Sequence, residues 1–176
     1  MNLIRSILII ISISLGLARS AVASEASGHL FRVQDMDGQQ HDFQTILDNG
    51  QSIALDYWQT WCAACRREAP QLAKAAEQCK GSIQFFGVVS GTDEFVDDEK
   101  VRDFVERAEL NYPQIRDRDL TLTAAFQVKG TPTIVVIGEG GSILYRGHHT
   151  PDDWSRFQER TSMRKLDPVR LQKEQG

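Results

Sequence analysis

The chain is poor in cysteine, methionine and histidine, and each scarcity closes off a class of chemistry. Its 176 residues hold 3 Cys, 3 Met and 4 His. A structural zinc site takes four ligands, commonly two pairs at short spacing. Cys62 and Cys65 form one such pair, but Cys79 stands alone, and His29, His41, His148 and His149 are not spaced to complete a set. Covalent haem attachment needs His directly after the second cysteine, and Arg66 is there instead. Soft thiolates select Cu(I), yet no Met- or His-rich tract accompanies them; past the initiator only Met36 and Met163 occur. Acids outnumber bases, 24 to 20, which argues against nucleic acid as a partner. No repeat and no long low-complexity tract appears.

Acidic residues are missing altogether before Glu25. That stretch carries Arg5, an apolar run from Ile7 to Ala18, and Ala21-Val22-Ala23, a small-x-small cleavage pattern. A run of about twelve residues falls short of the roughly 20 needed to span a bilayer. The expectation is a secretory signal over residues 1–23, cut after Ala23, and a periplasmic protein. Arg19, between the apolar core and the cut, departs from the pattern and keeps open an uncleaved inner-membrane anchor at residues 3–18. No Cys follows the run to carry a lipid. Without Arg5 and Arg19, 18 basic residues face 24 acidic ones, a net charge of −6. The remainder suits one domain, residues 24–165, with a polar tail at 166–176.

The chemistry is concentrated in Trp61-Cys62-Ala63-Ala64-Cys65-Arg66, at the end of an apolar run. Two cysteines separated by two residues can close into a disulfide and reopen with little backbone movement. Cys62 would stand at a helix N-terminus, where free N–H groups and the macrodipole favour a thiolate. The thiolate is the species that attacks a disulfide. A purely structural disulfide here would close a very small loop and gain little entropy. The pattern points to thiol–disulfide exchange.

Periodicity places the motif between a strand and a helix. Leu30–Val33 and His41–Phe43 are expected as short strands around the turn Asp37-Gly38. At most one helical turn is expected at Thr45–Leu47. Ser52–Trp58 is an apolar strand broken only by Asp56, and residues 63–79 form a helix with Ala69, Leu72, Ala73 and Ala76 on one face. Ile83–Val89 is a second buried strand. Residues 98–110 and 120–126 are helical, Thr133–Ile137 and Ser142–Tyr145 pair across Glu139-Gly140-Gly141, and a helix over 152–163 closes the domain. The sum is an α/β fold, a central mixed β-sheet flanked by helices with an N-terminal β-hairpin extension.

Three landmarks in order make the pattern specific. Tyr57-Trp58-x-x-Trp61-Cys62-x-x-Cys65, then Pro70, then Val128-x-Gly130-Thr131-Pro132-Thr133 entering a strand, resembles the thioredoxin superfamily. Within it, the chain looks like the exported TlpA/ResA branch. The resemblance covers about residues 30–157 and implies a thioredoxin fold and a protein-disulfide oxidoreductase. By it, Cys62 is the surface nucleophile, Cys65 the buried resolving thiol, and Pro132 a cis-proline whose loop packs on the disulfide. Most X–Pro bonds are trans, so that cis geometry is an expectation of the resemblance alone. Trp61, Ala63, Ala64 and Thr131 would meet the substrate; Trp61 would shield the nucleophile, a role compatible with core packing. Pro70 would bend the helix.

A carboxylate inside an apolar strand is costly, and burial raises its pKa. Asp56 also matches the buried acid that takes the proton of the resolving thiol. The Lys that accompanies this acid in thioredoxins has no counterpart in Phe85-Phe86-Gly87-Val88-Val89. The Ala-Ala pair between the cysteines replaces the Gly-Pro, x-Pro or Pro-His of relatives. The resemblance implies no organic cofactor and no metal. It implies exported cysteine-containing clients, cytochrome c maturation among them, and a membrane electron donor of the DsbD type. The rival readings are a disulfide-forming oxidant or isomerase of the same fold and a Cu(I)-handling thiol protein. A thiol peroxidase lacks its Pro-x-x-x-Thr-x-x-Cys context, since Thr60 is two residues before Cys62. Cys79 is expected as a buried small hydrophobe, Thr150 as a helix cap, and Thr92–Glu99 as an acidic loop.

Overall fold

The alternation of buried runs with amphipathic segments resolves into two layers of helix on one sheet. The computed structural model describes residues 32–158. The signal or anchor at 1–23, the outer parts of the 24–165 domain and the tail at 166–176 lie outside the described residues.

Strands β1 (Arg32–Gln34) and β2 (Gln40–Asp42) pair antiparallel, with Val33 opposite His41. Their turn is tied by the Asp35 carboxylate, which accepts from the Asp37 and Gln39 N–H groups at 3.0 and 2.9 Å. Gly38 supplies φ +86°, a conformation open to glycine at no steric cost. Phe43, expected in the second strand, instead starts helix α1 (Phe43–Asp48). Asp42 is the reason: its side chain accepts from Thr45 N–H and caps a helix longer than one turn.

The main sheet has the order β5-β4-β3-β6-β7, comprising β3 (Ser52–Tyr57), β4 (Ile83–Ser90), β5 (Gln114–Asp117), β6 (Thr133–Ile137) and β7 (Ile143–Gly147). Pairs β3–β4 and β4–β5 are parallel; β3–β6 and β6–β7 are antiparallel. The strand β5 was absent from the sequence expectation. Its four residues are buried polar and apolar alike, including Arg116 and Asp117, so no apolar run marks it.

Helices α2 (Ala63–Gln78) and α3 (Asp98–Arg107) cover one face, joined to Ala54, Trp58, Phe85, Val89, Ile134 and Val136. Helices α1 and α4 (Thr121–Ala125) cover the other through Phe43, Leu47 and Leu122, against Ile53, Leu55, Tyr57, Phe86, Val88, Val135 and Ile137. Strands β3, β4 and β6 are buried on both faces and therefore read as nearly continuous apolar runs. The buried face of α2 runs through Cys65, Ala69, Leu72 and Ala75, flanked by half-buried Ala73 and Ala76. Within the described part of the expected closing helix, residues 152–158, there is a 3₁₀ turn at Ser155–Phe157; residues 159–163 lie outside the described residues. Thr150 starts no helix, and its hydrogen-bonding capacity goes elsewhere.

Candidate active site

The extended backbone of Cys62 (φ −78°, ψ 101°) makes it the N-cap of α2, and its Sγ accepts from Cys65 N–H at 3.1 Å. The two cysteines are joined as a disulfide, with Cα atoms 5.3 Å apart. Their environments differ. Cys62 is half-buried, whereas Cys65 is only 4% exposed on the inner face of α2. An attacking thiol must be reachable, and a resolving thiol need only reach its neighbour.

Trp61 is 65% exposed, which corrects the expectation that it could be a packed core aromatic. The buried indole is Trp58 instead, stacked on Phe104 at 4.2 Å with its Nε1 donating to Gln114 Oε1 at 3.0 Å. Ala63 is exposed, and Ala64 and Thr131 are half-buried. The Thr131–Pro132 peptide bond is cis, and Pro132 is buried at the entry to β6. The Thr133 hydroxyl, rather than that of Thr131, closes this loop by donating to the Gly130 carbonyl at 2.7 Å. His148 Nδ1 lies 2.8 Å from the Pro132 carbonyl; a carbonyl only accepts, so that nitrogen carries the hydrogen.

Asp56 is 4% exposed near the C-terminal end of β3. Ala54 and Trp58 pack in the same cluster as Cys65, so the two-residue period of a strand points Asp56 to the α2 face as well. Its Oδ2 accepts from the Tyr112 hydroxyl at 2.8 Å. Burial pushes the carboxyl from 3.8 up to about 7; the Tyr112 hydrogen bond opposes the rise and the charge of Glu68 adds to it. Tyr112 is itself pushed well above the usual phenol range, by burial and then by the Asp56 charge.

Glu68, three residues after Cys65, was not singled out by the sequence. Its Oε2 accepts from the Thr150 N–H at 2.8 Å and the Thr150 hydroxyl at 2.5 Å, and Oε1 lies 3.5 Å from His149 Nδ1. Burial raises this carboxyl, but the Thr150 bonds and the His149 contact outweigh it and hold it below its usual range. Tyr112, Glu68 and His148 escape sequence reasoning because each acts across a long stretch of chain. The missing lysine beside Asp56 was a signal that another partner had to exist. Cys79 is buried, as expected, with Gln158 Nε2 2.9 Å from its sulfur; burial raises its thiol. Among the described residues no cluster of three or more His, Cys, Asp or Glu is placed to hold a metal ion, and no helix is long and apolar enough to cross a membrane.

Residues 23–162 match the Redoxin family. The chain belongs to that family. It is 27% identical over 148 residues to the thiol-disulfide oxidoreductase ResA of Halalkalibacterium halodurans, covering 79% of this chain and 81% of that one. It is 25% identical over 146 residues to the soluble secreted antigen MPT53 of Mycobacterium bovis, covering 82% and 80%. The structure of a secreted Mycobacterium tuberculosis disulfide oxidoreductase, described as homologous to E. coli DsbE, matches with a TM-score of 0.58 at 22% identity, over 76% of this chain and 96% of that one. That last likeness is one of fold. The protein is a ResA-like member of the thioredoxin superfamily, and its enzyme class is thioredoxin-like thiol–disulfide oxidoreductase.

Proposed function

We propose that the protein reduces disulfides of exported, cysteine-containing proteins in the periplasm through a Cys62/Cys65 dithiol. The observation that carries this reading is the asymmetry of the pair: Cys62 half-buried at the N-terminus of α2 and Cys65 enclosed beneath it. In the first step the Cys62 thiolate attacks one sulfur of the client disulfide, forming a mixed disulfide and releasing one client thiolate. The Cys65 thiolate then attacks Cys62, closing the disulfide and releasing the second client thiol. The client gains two electrons and the enzyme loses two. Asp56, on the α2 face with a pKa of about 7, suits acceptance of the Cys65 proton near neutrality. The buried Pro132 loop, with exposed Ala63 and half-buried Ala64 and Thr131 around the pair, would bound the client's approach. Re-reduction by a membrane donor of the DsbD type, and clients of the cytochrome c maturation kind, complete the proposal.

The deciding experiment is the reduction potential of the Cys62–Cys65 couple. The domain is equilibrated with glutathione or dithiothreitol buffers and followed by tryptophan fluorescence, with Cys62→Ser and Cys65→Ser as controls. A value near or below about −250 mV supports a reductant fed by a stronger donor. A value above about −180 mV would overturn the reducing direction in favour of an oxidant or isomerase.

A further inference from the structure

Two large aromatic side chains, one of them directly before Cys62, are left in water. Trp61 is 65% and Phe95 74% exposed, the highest values among the exposed large hydrophobic residues described. Both line one groove of about 540 Å³, shared with Thr60, Asp93, Glu94 and Asp97. Trp61 directly precedes Cys62, so one wall of the groove is the residue before the cysteine that the proposed mechanism uses.

Phe95 does not sit on an unanchored loop. The Arg116 side chain, 2% exposed, donates to the Gly91 and Val96 carbonyls at 3.0 and 3.2 Å and ion-pairs with Asp98. Arg118 bridges Asp93 at 2.7 Å and Asp98 at 2.8 Å. Val96, next to Phe95, is buried in the α2–α3 cluster. The segment is thus clamped at both ends and in the middle, and Phe95 projects from a fixed base.

The charge on the groove has a definite sign. Asp93 and Asp98 are answered by Arg116 and Arg118. Glu94 and Asp97 form no ion pair among the described residues, and Asp97 spends one oxygen on the Glu99 N–H. Lys100 is the one cation among the lining side chains. The Arg116 charge acts on Asp97 as well, so Glu94 is the lining carboxylate that no described cation meets; aromatic faces beside it suit a cationic side chain, which gains from both the ring quadrupole and the charge.

We propose that the Trp61–Phe95 groove docks the client, and that it selects extended segments carrying Arg or Lys beside an apolar residue next to the target cysteine. This rests on Cys62 being the attacking thiol. Arg66 and Arg67, exposed on α2, would favour the opposite charge, and that opposition sets the test.

The reduced domain is mixed with three synthetic peptides of equal length, each holding one disulfide flanked by Arg-Phe, Glu-Phe or Ser-Gly, and with hydroxyethyl disulfide as a small neutral control. The Arg-Phe peptide should react about tenfold faster than the Glu-Phe peptide at low salt, the gap narrowing as salt rises. Glu94→Lys should remove that preference. Phe95→Ser should slow the Arg-Phe peptide several-fold, and neither change should alter the rate with hydroxyethyl disulfide. Equal rates for the three peptides, or a faster Glu-Phe peptide, would overturn the docking assignment while leaving the dithiol intact. Inertness toward every disulfide, the small control included, would sink the dithiol assignment and the docking proposal together.

Discussion

The Tyr112 hydroxyl donates to Asp56 Oδ2 at 2.8 Å, linking the chain two residues before β5 to the C-terminal end of β3 across 56 positions of chain. Tyr112 is 7% and Asp56 4% exposed. A buried carboxyl is tolerable there because a phenol meets it, and because it need not be ionised below about pH 7.

Replacing Tyr112 by Phe removes that donor without changing the ring. The hydrogen bond lowers the Asp56 pKa, so its loss should raise the carboxyl further above about 7. Where the wild-type carboxyl is ionised, the variant should lose about 1–3 kcal/mol, the usual penalty for a buried group left unmet. NMR titration of the Asp56 carboxyl carbon reads the shift directly. An unchanged or lower value would refute the proposed role of the phenol.

Asp56 also predicts how stability depends on pH. Its folded-state pKa of about 7 lies above the ordinary 3.8, so between these values the folded state holds a proton that the unfolded state has released. Stability from this group is therefore full below about pH 4, falls as pH rises to about 7, and stays reduced above; the displacement corresponds to at most about 4 kcal/mol. Asp56→Asn should consequently stabilise the oxidised domain at pH 8 relative to wild type and lose that advantage by pH 4. Urea denaturation at both values checks it. The same variant should slow release of the mixed disulfide if Asp56 accepts the Cys65 proton.

Gly87 faces Gln114 across the β4–β5 pair. A Cβ at this position would stand 1.9 Å from Gln114 Oε1. That amide accepts from Trp58 Nε1 and donates to the Tyr112 carbonyl at 2.7 Å. Gly87→Ala should therefore displace the amide and break both bonds, costing about 2–3 kcal/mol. Denaturant unfolding followed by Trp fluorescence would show it, and a cost below measurement would mean that the amide has a second seat.

Arg116 holds the 91–98 segment from below. Burial holds its guanidinium below the usual range, with Arg118 acting in the same direction and Asp93 and Asp97 opposing. Arg116→Met should leave the Gly91 and Val96 carbonyls without their side-chain donor and cost about 2–4 kcal/mol. Limited proteolysis should cut within residues 91–100 faster than in wild type. Equal cutting would show that Val96 and the Thr92 turn suffice to hold the segment.

The local order of the fold was legible wherever one chain segment decides its own fate. The apolar run into Cys62 had to be a buried strand, the spacing after it a helix, and the two-residue gap a closable disulfide. Asp42 blurred one boundary because a strand-end carboxylate caps a helix as readily as it ends a strand. The strand β5 escaped because half of it is Arg116 and Asp117, buried against the 91–98 segment and the start of α4 respectively, and such residues carry no apolar signature.

The sequence alone determined the pair of cysteines two residues apart, the strand–helix junction that presents it, and the oddity of a carboxylate at position 56. Those features follow from local geometry and from the cost of burying charge. Only the tertiary structure decided what meets that carboxylate, what holds Glu68, what anchors the Pro132 loop and which tryptophan faces water. Each of those outcomes depends on side chains brought together by sheet order and loop closure. No periodicity along the chain encodes them.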